Sequence, residues 1–179
     1  MRMSEPEVSL RLAIHLIDTR KSKGQVVVSI DGAHVKTGDK VHFDLVTFLA
    51  SLGWHAEDQS QKWQAIYRRL PEEPSIRIHS QSGKGDVVAT LESGRTFIAE
   101  AKKGPLNRSE SSKEYPLLRE ALGQLLTIDS VAENPFLAVA VPHGERFVEL
   151  AARWRNAPLI VRTNIHILTV APTGEVSGW

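Results

Sequence analysis

Asp86, Glu100 and Lys102 are the residues of this chain whose types and spacing best suit chemistry. They lie in the stretch GKGDVVATLESGRTFIAEAKKG, where two strand-like runs flank the polar turn Glu92-Ser93-Gly94-Arg95. Side chains alternate along a strand, so Glu100 and Lys102 share a face and Ala101 points away. Asp86 opens the preceding strand, across the turn. One carboxylate from each strand, with the backbone carbonyl of Ala101, makes a hard-oxygen set suited to Mg²⁺ or Mn²⁺ that leaves room for water and phosphate oxygens. An ammonium group beside it can orient a water, help lower its pKa, or neutralise charge on a phosphoryl group. Hydrolysis of a phosphodiester is the chemistry this trio predicts.

Val87, Val88, Phe97 and Ile98 surround these charges with apolar residues. Burying the charges unpaired costs several kcal/mol, so mutual pairing and a metal ion are a natural resolution. The alternative is a wet sheet face with Asp86 in a turn.

The elements that must hold the trio follow from hydrophobic period. Residues 9–17 (SLRLAIHLI) and 25–30 (QVVVSI) read as strands, so residues 1–42 are expected to be a β-rich elaboration of a core spanning 43–179. Leu45, Phe48, Leu49 and Leu52 predict a helix over 43–52, stopped by Gly53. Trp63, Ile66, Tyr67 and Leu70 predict another over 59–70, ended by Pro71. Ser75–His79, Asp86–Leu91 and Thr96–Lys102 read as strands. Leu118, Ala121, Leu122 and Leu125 mark a helix over 114–128. The apolar run 135–141 reads as a strand covered on both faces. A helix over 144–155, strand material over 159–170 and a polar tail complete the chain. The expected fold is an α/β mixed-sheet sandwich flanked by helices.

With its aspartate, short hairpin and Glu100-Ala101-Lys102, the chain resembles the PD-(D/E)xK nuclease superfamily, the restriction-endonuclease-like fold. Similarity extends over about 43–170, although only 84–104 carries the motif. Gly85 stands where that family often has proline. The resemblance implies a Mg²⁺-dependent nuclease, an endodeoxyribonuclease suited to restriction, defence or repair. It also implies a glutamine on the following helix, which Gln124 fits, able to bond phosphate or orient Lys102. An acid from a preceding helix is implied too, with Glu57 preferred over Asp58 and Asp44.

Nucleic-acid contacts are expected from the loop before Asp86, through Ser82 and Lys84, and from Lys103, Arg108 and Lys113 around KKGPLNRSESSKEY. Arg68 and Arg69 extend this basic set. Between Arg77 and Arg119 eight Lys/Arg face five Asp/Glu, although the whole chain carries only +1. A uniformly basic DNA-coating protein is therefore excluded. DNA is the expected partner, RNA a second one, and a homodimer or larger complex suits cleavage of both strands.

The chain has 179 residues and no cysteine, which rules out thiolate zinc sites and cysteine nucleophiles and suits a reducing cytoplasm. The N-terminus lacks a signal-peptide core and no apolar run reaches membrane-spanning length. The seven histidines form no compact zinc pattern. His79 lies near enough in sequence to assist proton transfer, and Trp54 and Trp63 suit either a helical core or base stacking. Two other functions are consistent with the fold: a nucleic-acid-binding module without catalysis, and a protein-interaction domain in which the acidic hairpin only stabilises.

Overall fold

The computed structural model describes residues 1–58, 63–81, 83–108 and 113–179. In chain order its elements are β1 (Arg2–Met3), α1 (Glu5–Asp18), β2 (Ser22–Ser29), α2 (Gly32–Val35), β3 (Lys36–Thr37), β4 (Lys40–Val41), α3 (Leu45–Ser51), β5 (His55–Ala56), β6 (Ile66–Arg68), β7 (Ile76–His79), β8 (Val87–Leu91), β9 (Thr96–Ala101), β10 (Gly104–Pro105), α4 (Glu114–Leu126), β11 (Phe136–Pro142), α5 (Glu145–Arg155), α6 (Pro158–Thr163), β12 (His166–Val170) and β13 (Val176–Ser177). Among the described residues nine strands form one mixed sheet, ordered β13-β12-β11-β9-β8-β2-β7-β6-β5. Helices flank it, giving an α/β sandwich. No helix is long and apolar enough to cross a membrane among the described residues.

Period-two alternation divides the core between the two faces of the sheet. Phe97, Ala99 and Ala101 of β9 join the residues of α1 in one apolar cluster. Ile98 joins Leu118, Ala121 and Leu125 of α4 and Phe147 and Leu150 of α5 in the other. β11 pairs in parallel with both β9 and β12, and its residues 138–142 are buried, as its unbroken apolar run predicts.

The N-terminal segment departs from expectation. Residues 9–17 are not a strand but most of α1, and the strand that follows, β2, is central, between β8 and β7. The helix starts where Ser4 Oγ accepts a hydrogen bond from Glu7 N (3.2 Å), with Pro6 in the first turn and Glu5 and Glu7 at the positive end of the helix dipole. Leu10, Leu12 and Leu16 are each fully buried, a contribution of about 1.5–3 kcal/mol apiece. Residues 1–42 are thus a mixture of helix and strand that shares the core with the rest.

Two further elements differ. The expected helix over 59–70 gives way to β6, in which Tyr67 is buried and pairs with Ile76, while Leu70 is exposed. Residues 59–62 lie outside the described residues. Over 159–170 the chain forms α6 first, closed by Asn164 in the left-handed region at φ +52°, and only then β12. The C-terminal residues are not a free tail: β13 pairs with β12, and the Trp179 ring packs against His15, Phe97 and Phe136.

Candidate active site

The β8–β9 hairpin forms in the expected register, from Thr90 opposite Thr96 to Val87 opposite Ala99. Beyond the last pair Asp86 N donates to Ala99 O (2.9 Å), and Asp86 O accepts from Ser29 N of β2 (2.9 Å). Both strands therefore clamp the Asp86 backbone. Its side chain turns back across the hairpin, where Oδ2 accepts from Ala101 N (2.8 Å). The N–H and C=O of one strand residue point to the same side, so the Ala101 carbonyl also faces the strand edge from which Asp86 approaches.

Gly85 enters this geometry at φ +124°, which proline cannot adopt. A Cβ there would lie 2.7 Å from Ile98 Cγ2 and 3.2 Å from Ala99 O. The departure from the proline of the resembling family thus has a physical basis, a close approach of backbone to β9 just before the acid.

Glu100 and Lys102 lie on the α4 side of the sheet and are 9% and 5% exposed. Lys102 Nζ is 3.2 Å from Glu120 Oε1 on α4 and 3.9 Å from Glu5 Oε2 on α1. Glu5 is brought here by a short tether: Met3 of β1 pairs with Gly104 of β10, two residues past Lys102. Gly104 must be glycine, because a Cβ would lie 2.3 Å from Phe147 Cε2. His34 Nδ1 of α2 stands 3.5 Å from the other oxygen of Glu5.

Four carboxyl groups, Glu5, Asp86, Glu100 and Glu120, thus gather round the buried Lys102. Burial first, then the neighbouring Glu5, pushes the Asp86 carboxyl up to about 6, against the pull of Ala101 N–H and Lys102. Burial first, then the charge on Asp86, pushes Glu100 up to about 7, and Lys102 opposes it. The two carboxyls interact directly and titrate as a pair. A proton taken up by the pair, or a divalent cation, would relieve their repulsion.

The closeness of the Asp86 and Glu100 carboxyls, opposed by the single ammonium of Lys102, is the observation that fits a cation. Among the described residues no three His, Asp or Glu side chains converge closely enough to hold a metal alone. The groups that could serve as donors are Asp86, Glu100 and the Ala101 carbonyl, two carboxyls and one carbonyl, short of a closed protein shell. A set of two carboxylates suits Mg²⁺, which keeps several waters and completes its shell with substrate oxygens.

These residues line one cleft of about 460 Å³, together with Lys103, Gln124 and Ser80. Gln124 reaches it because Leu117, Glu120 and Gln124 fall on one face of α4, while Leu118, Ala121 and Leu125 bury the other. Of the sequence-derived candidates, Asp86, Glu100, Lys102, Lys103 and Gln124 therefore meet at one place.

Others lie elsewhere. Glu57 lines a separate cavity of about 420 Å³ with Asp58 and His79, and is ion-paired with Arg68. The acid of a preceding helix that lines the cleft is Glu5 of α1, which the reading of residues 9–17 as a strand did not bring out. The Ser4-x-x-Glu7 capping pattern and Pro6 were the signals that could have found it. Asp44 caps α3 through Thr47 N (3.1 Å). Arg69 pairs with Asp18 and Glu73, and its guanidinium lies over the buried Trp54, which is a core residue and not a base-stacking platform. Lys84 is exposed in the loop before Asp86 and does not line the cleft. Arg108 is exposed and 3.5 Å from Glu149, and Lys113 is exposed at the start of α4. Ser82 lies outside the described residues.

No family model matches the chain, and comparisons with curated proteins and with solved structures return no match.

Proposed function

We propose that this chain is a metal-dependent phosphodiesterase that hydrolyses DNA, acting as an endonuclease on a restriction-endonuclease-like variant of its α/β sandwich. The observation that carries the reading is the meeting of Asp86, Glu100 and Lys102 at one end of a central hairpin, in a cleft that also takes Glu5 and Gln124. The motif's order and the helix that follows it support the PD-(D/E)xK assignment. The activity suits restriction, defence or repair, alone or as a homodimer.

In this reading Asp86, Glu100 and the Ala101 carbonyl would hold Mg²⁺ or Mn²⁺. The chemistry such a cation supplies when bound is polarisation of the phosphate and acidification of water. The remaining work belongs to side chains. The Ala101 N–H fixes the Asp86 carboxylate, so its orientation is set before substrate arrives. Glu120 and Glu5 steady Lys102 Nζ, whose ammonium offsets charge growing on the phosphoryl oxygens as a water oxygen bonds to phosphorus and the P–O3′ bond breaks, the attacking water giving its proton to solvent and O3′ taking one from a solvent water. The amide of Gln124 donates to a phosphate oxygen, and Lys103 attracts the backbone at the rim of the cleft.

The test incubates single- and double-stranded DNA and RNA with Mg²⁺, Mn²⁺ or a chelator, using wild type, Asp86→Ala and Lys102→Ala. Metal-dependent products lost in both variants are expected. Absence of products from every substrate, or equal products from both variants, would overturn the proposal. Retention of DNA without cleavage by the wild type would favour the binding-module alternative.

A further inference from the structure

Sheet pairing carries the face of Asp86 and Glu100 well beyond the cleft. The pairs Ile98–Val88, Val88–Val27, Val27–Arg77 and Arg77–Ile66 cross β9, β8, β2, β7 and β6 in one row. All five side chains therefore share the face on which Glu100 lies. Ile98 is buried under α4 and α5, whereas Arg77 is exposed and Ile66 only half-buried. At β7 and β6 that face is open.

A second row joins the open part to the cleft. Asp86 O accepts from Ser29 N (2.9 Å), and Ser29 pairs with His79 of β7, two strand spacings or about 10 Å from Asp86. Ser29 and Ser80 line the cleft, while His79 and Gln81 line the cavity of about 420 Å³ beyond it. Ser29 Oγ donates to Gln81 O (2.6 Å), and Ser80 N and Oγ donate to Gln64 Oε1 (3.3 Å each). The two hollows share one wall. A strand with a phosphate at Asp86 thus has a neighbouring base within reach of the second.

That second cavity offers a donor fork, an acceptor and an apolar floor. Arg77 is exposed and, among the described residues, in no ion pair. Glu57 has Oε1 engaged with Arg68, which leaves Oε2 as an acceptor. Ile66 lies between them, paired with Arg77 on one side and accepting at O from Glu57 N (2.9 Å) on the other. The Arg77 and Glu57 backbones therefore stand about 10 Å apart, across a half-buried isoleucine. Guanine is the nucleobase that sets two adjacent acceptors, O6 and N7, beside two adjacent donors, N1–H and the 2-amino group. An arginine fork binds the first edge bidentately, and a carboxylate accepts from the second. In a duplex the second edge is spent on pairing, so paired bases do not enter such a site.

We propose that the cavity on β6 and β7 is a subsite for an unpaired guanine of the strand being cut. Arg77 takes O6 and N7, Glu57 takes the N1–H edge, and Ile66 lies against the ring. The proposal rests on the nuclease reading and adds a base preference and the residues that impose it.

The test measures binding of labelled single-stranded oligothymidylates to the full chain in chelator, the central base being thymine, guanine or 7-deazaguanine. The proteins are wild type, Arg77→Ala and Arg77→Lys. Wild type is expected to bind the guanine strand about tenfold more tightly than the all-thymine strand, the scale of one bidentate pair. 7-Deazaguanine lacks the N7 acceptor and loses most of that preference, a result that needs no variant and that misfolding cannot produce. Both variants lose it too, because lysine keeps the charge without the fork. Their affinity for the all-thymine strand stays within about twofold, since Arg77 contacts a base and not a phosphate. Equal binding of guanine and all-thymine strands by wild type, or a guanine preference that survives 7-deazaguanine or Arg77→Ala, overturns the proposal. Metal-dependent cleavage of duplex DNA by the same wild-type preparation then leaves the nuclease reading standing. Absence of both binding and cleavage on every nucleic acid overturns both.

Discussion

Two acid-bearing cavities of similar size lie at the sheet, and they handle charge in opposite ways. Around Glu57 the carboxylate is ion-paired with Arg68, and both side chains are more than a third exposed. Around Asp86 a half-buried carboxyl lies beside the buried Glu100, and the buried Lys102 is shared between Glu5 and Glu120. The first arrangement is a surface pair of small energetic consequence. In the second, two carboxyls that repel one another are held close in the folded chain, an arrangement a bound cation would relieve. An acid's presence in a pocket is thus less informative than whether its charge is already satisfied.

The sharpest way to break this comparison is to remove one acid or amine from each cavity. Asp86→Ala and Lys102→Ala are expected to lower metal-dependent cleavage about 10³-fold, the scale for loss of a group that stabilises transition-state charge. Glu57→Ala is expected to leave the rate within about twofold, since its pair is exposed. Initial rates on a duplex substrate decide it, and comparable losses from the two cavities would refute the distinction.

A middle effect separates residues that touch the substrate from those that steady Lys102. Glu5→Gln keeps the shape but removes one partner charge from Lys102, and a loss of about 10–100-fold is expected. Its signature is a fall in kcat with a small change in KM, read from steady-state kinetics.

The backbone offers a test independent of activity. Gly85→Ala forces a Cβ toward Ile98 Cγ2 at a positive φ, and a loss of about 1–3 kcal/mol of stability is expected from denaturant unfolding. An unchanged midpoint would mean that the entry to Asp86 is not built as described.

The smallest expected effect is on pH dependence. The folded-state values of Asp86 and Glu100 lie above those of the unfolded chain, so the native protein binds more protons in the window between them. The contribution of these two groups to the stability of the metal-free protein is then greatest at low pH and falls as pH rises from the ordinary carboxylate range through about 7. Thermal melts of wild type and Asp86→Asn/Glu100→Gln, in chelator at pH 5 and pH 8, check the sign. The variant should lose most of the decline, whereas an equal decline in both would remove the basis for repulsion between the two carboxyls.

How far the sequence revealed this arrangement depended on burial. The β8–β9 hairpin was legible because its alternating residues and its Glu92–Arg95 turn agree, and with it came Asp86, Glu100 and Lys102. α4 was legible because one face is wet, which also placed Gln124. α1 was not, because burial of Val8, Leu10, Leu12, Ala13, Ile14, Leu16 and Ile17 wraps the helix in apolar residues and leaves Leu10, Leu12, Ile14 and Leu16 looking like a strand. Glu5 was lost with it. Trp63, Ile66, Tyr67 and Leu70 have helical spacing by coincidence, since Ile66 and Tyr67 belong to an edge-side strand and Leu70 to the turn after it. The grouping of Glu5, His34 and Glu120 around one cleft depends on contacts between distant segments, which no local pattern encodes.

The central claim is that buried carboxylates at the end of the β8–β9 hairpin, and not the paired acid across the sheet, hold a divalent cation. Titration of the protein with Mn²⁺, followed by electron paramagnetic resonance of the free ion, tests it in wild type, Asp86→Asn and Glu57→Gln. The account predicts binding by wild type and Glu57→Gln alike, with binding lost in Asp86→Asn. Undiminished binding by Asp86→Asn, or loss only in Glu57→Gln, would contradict it.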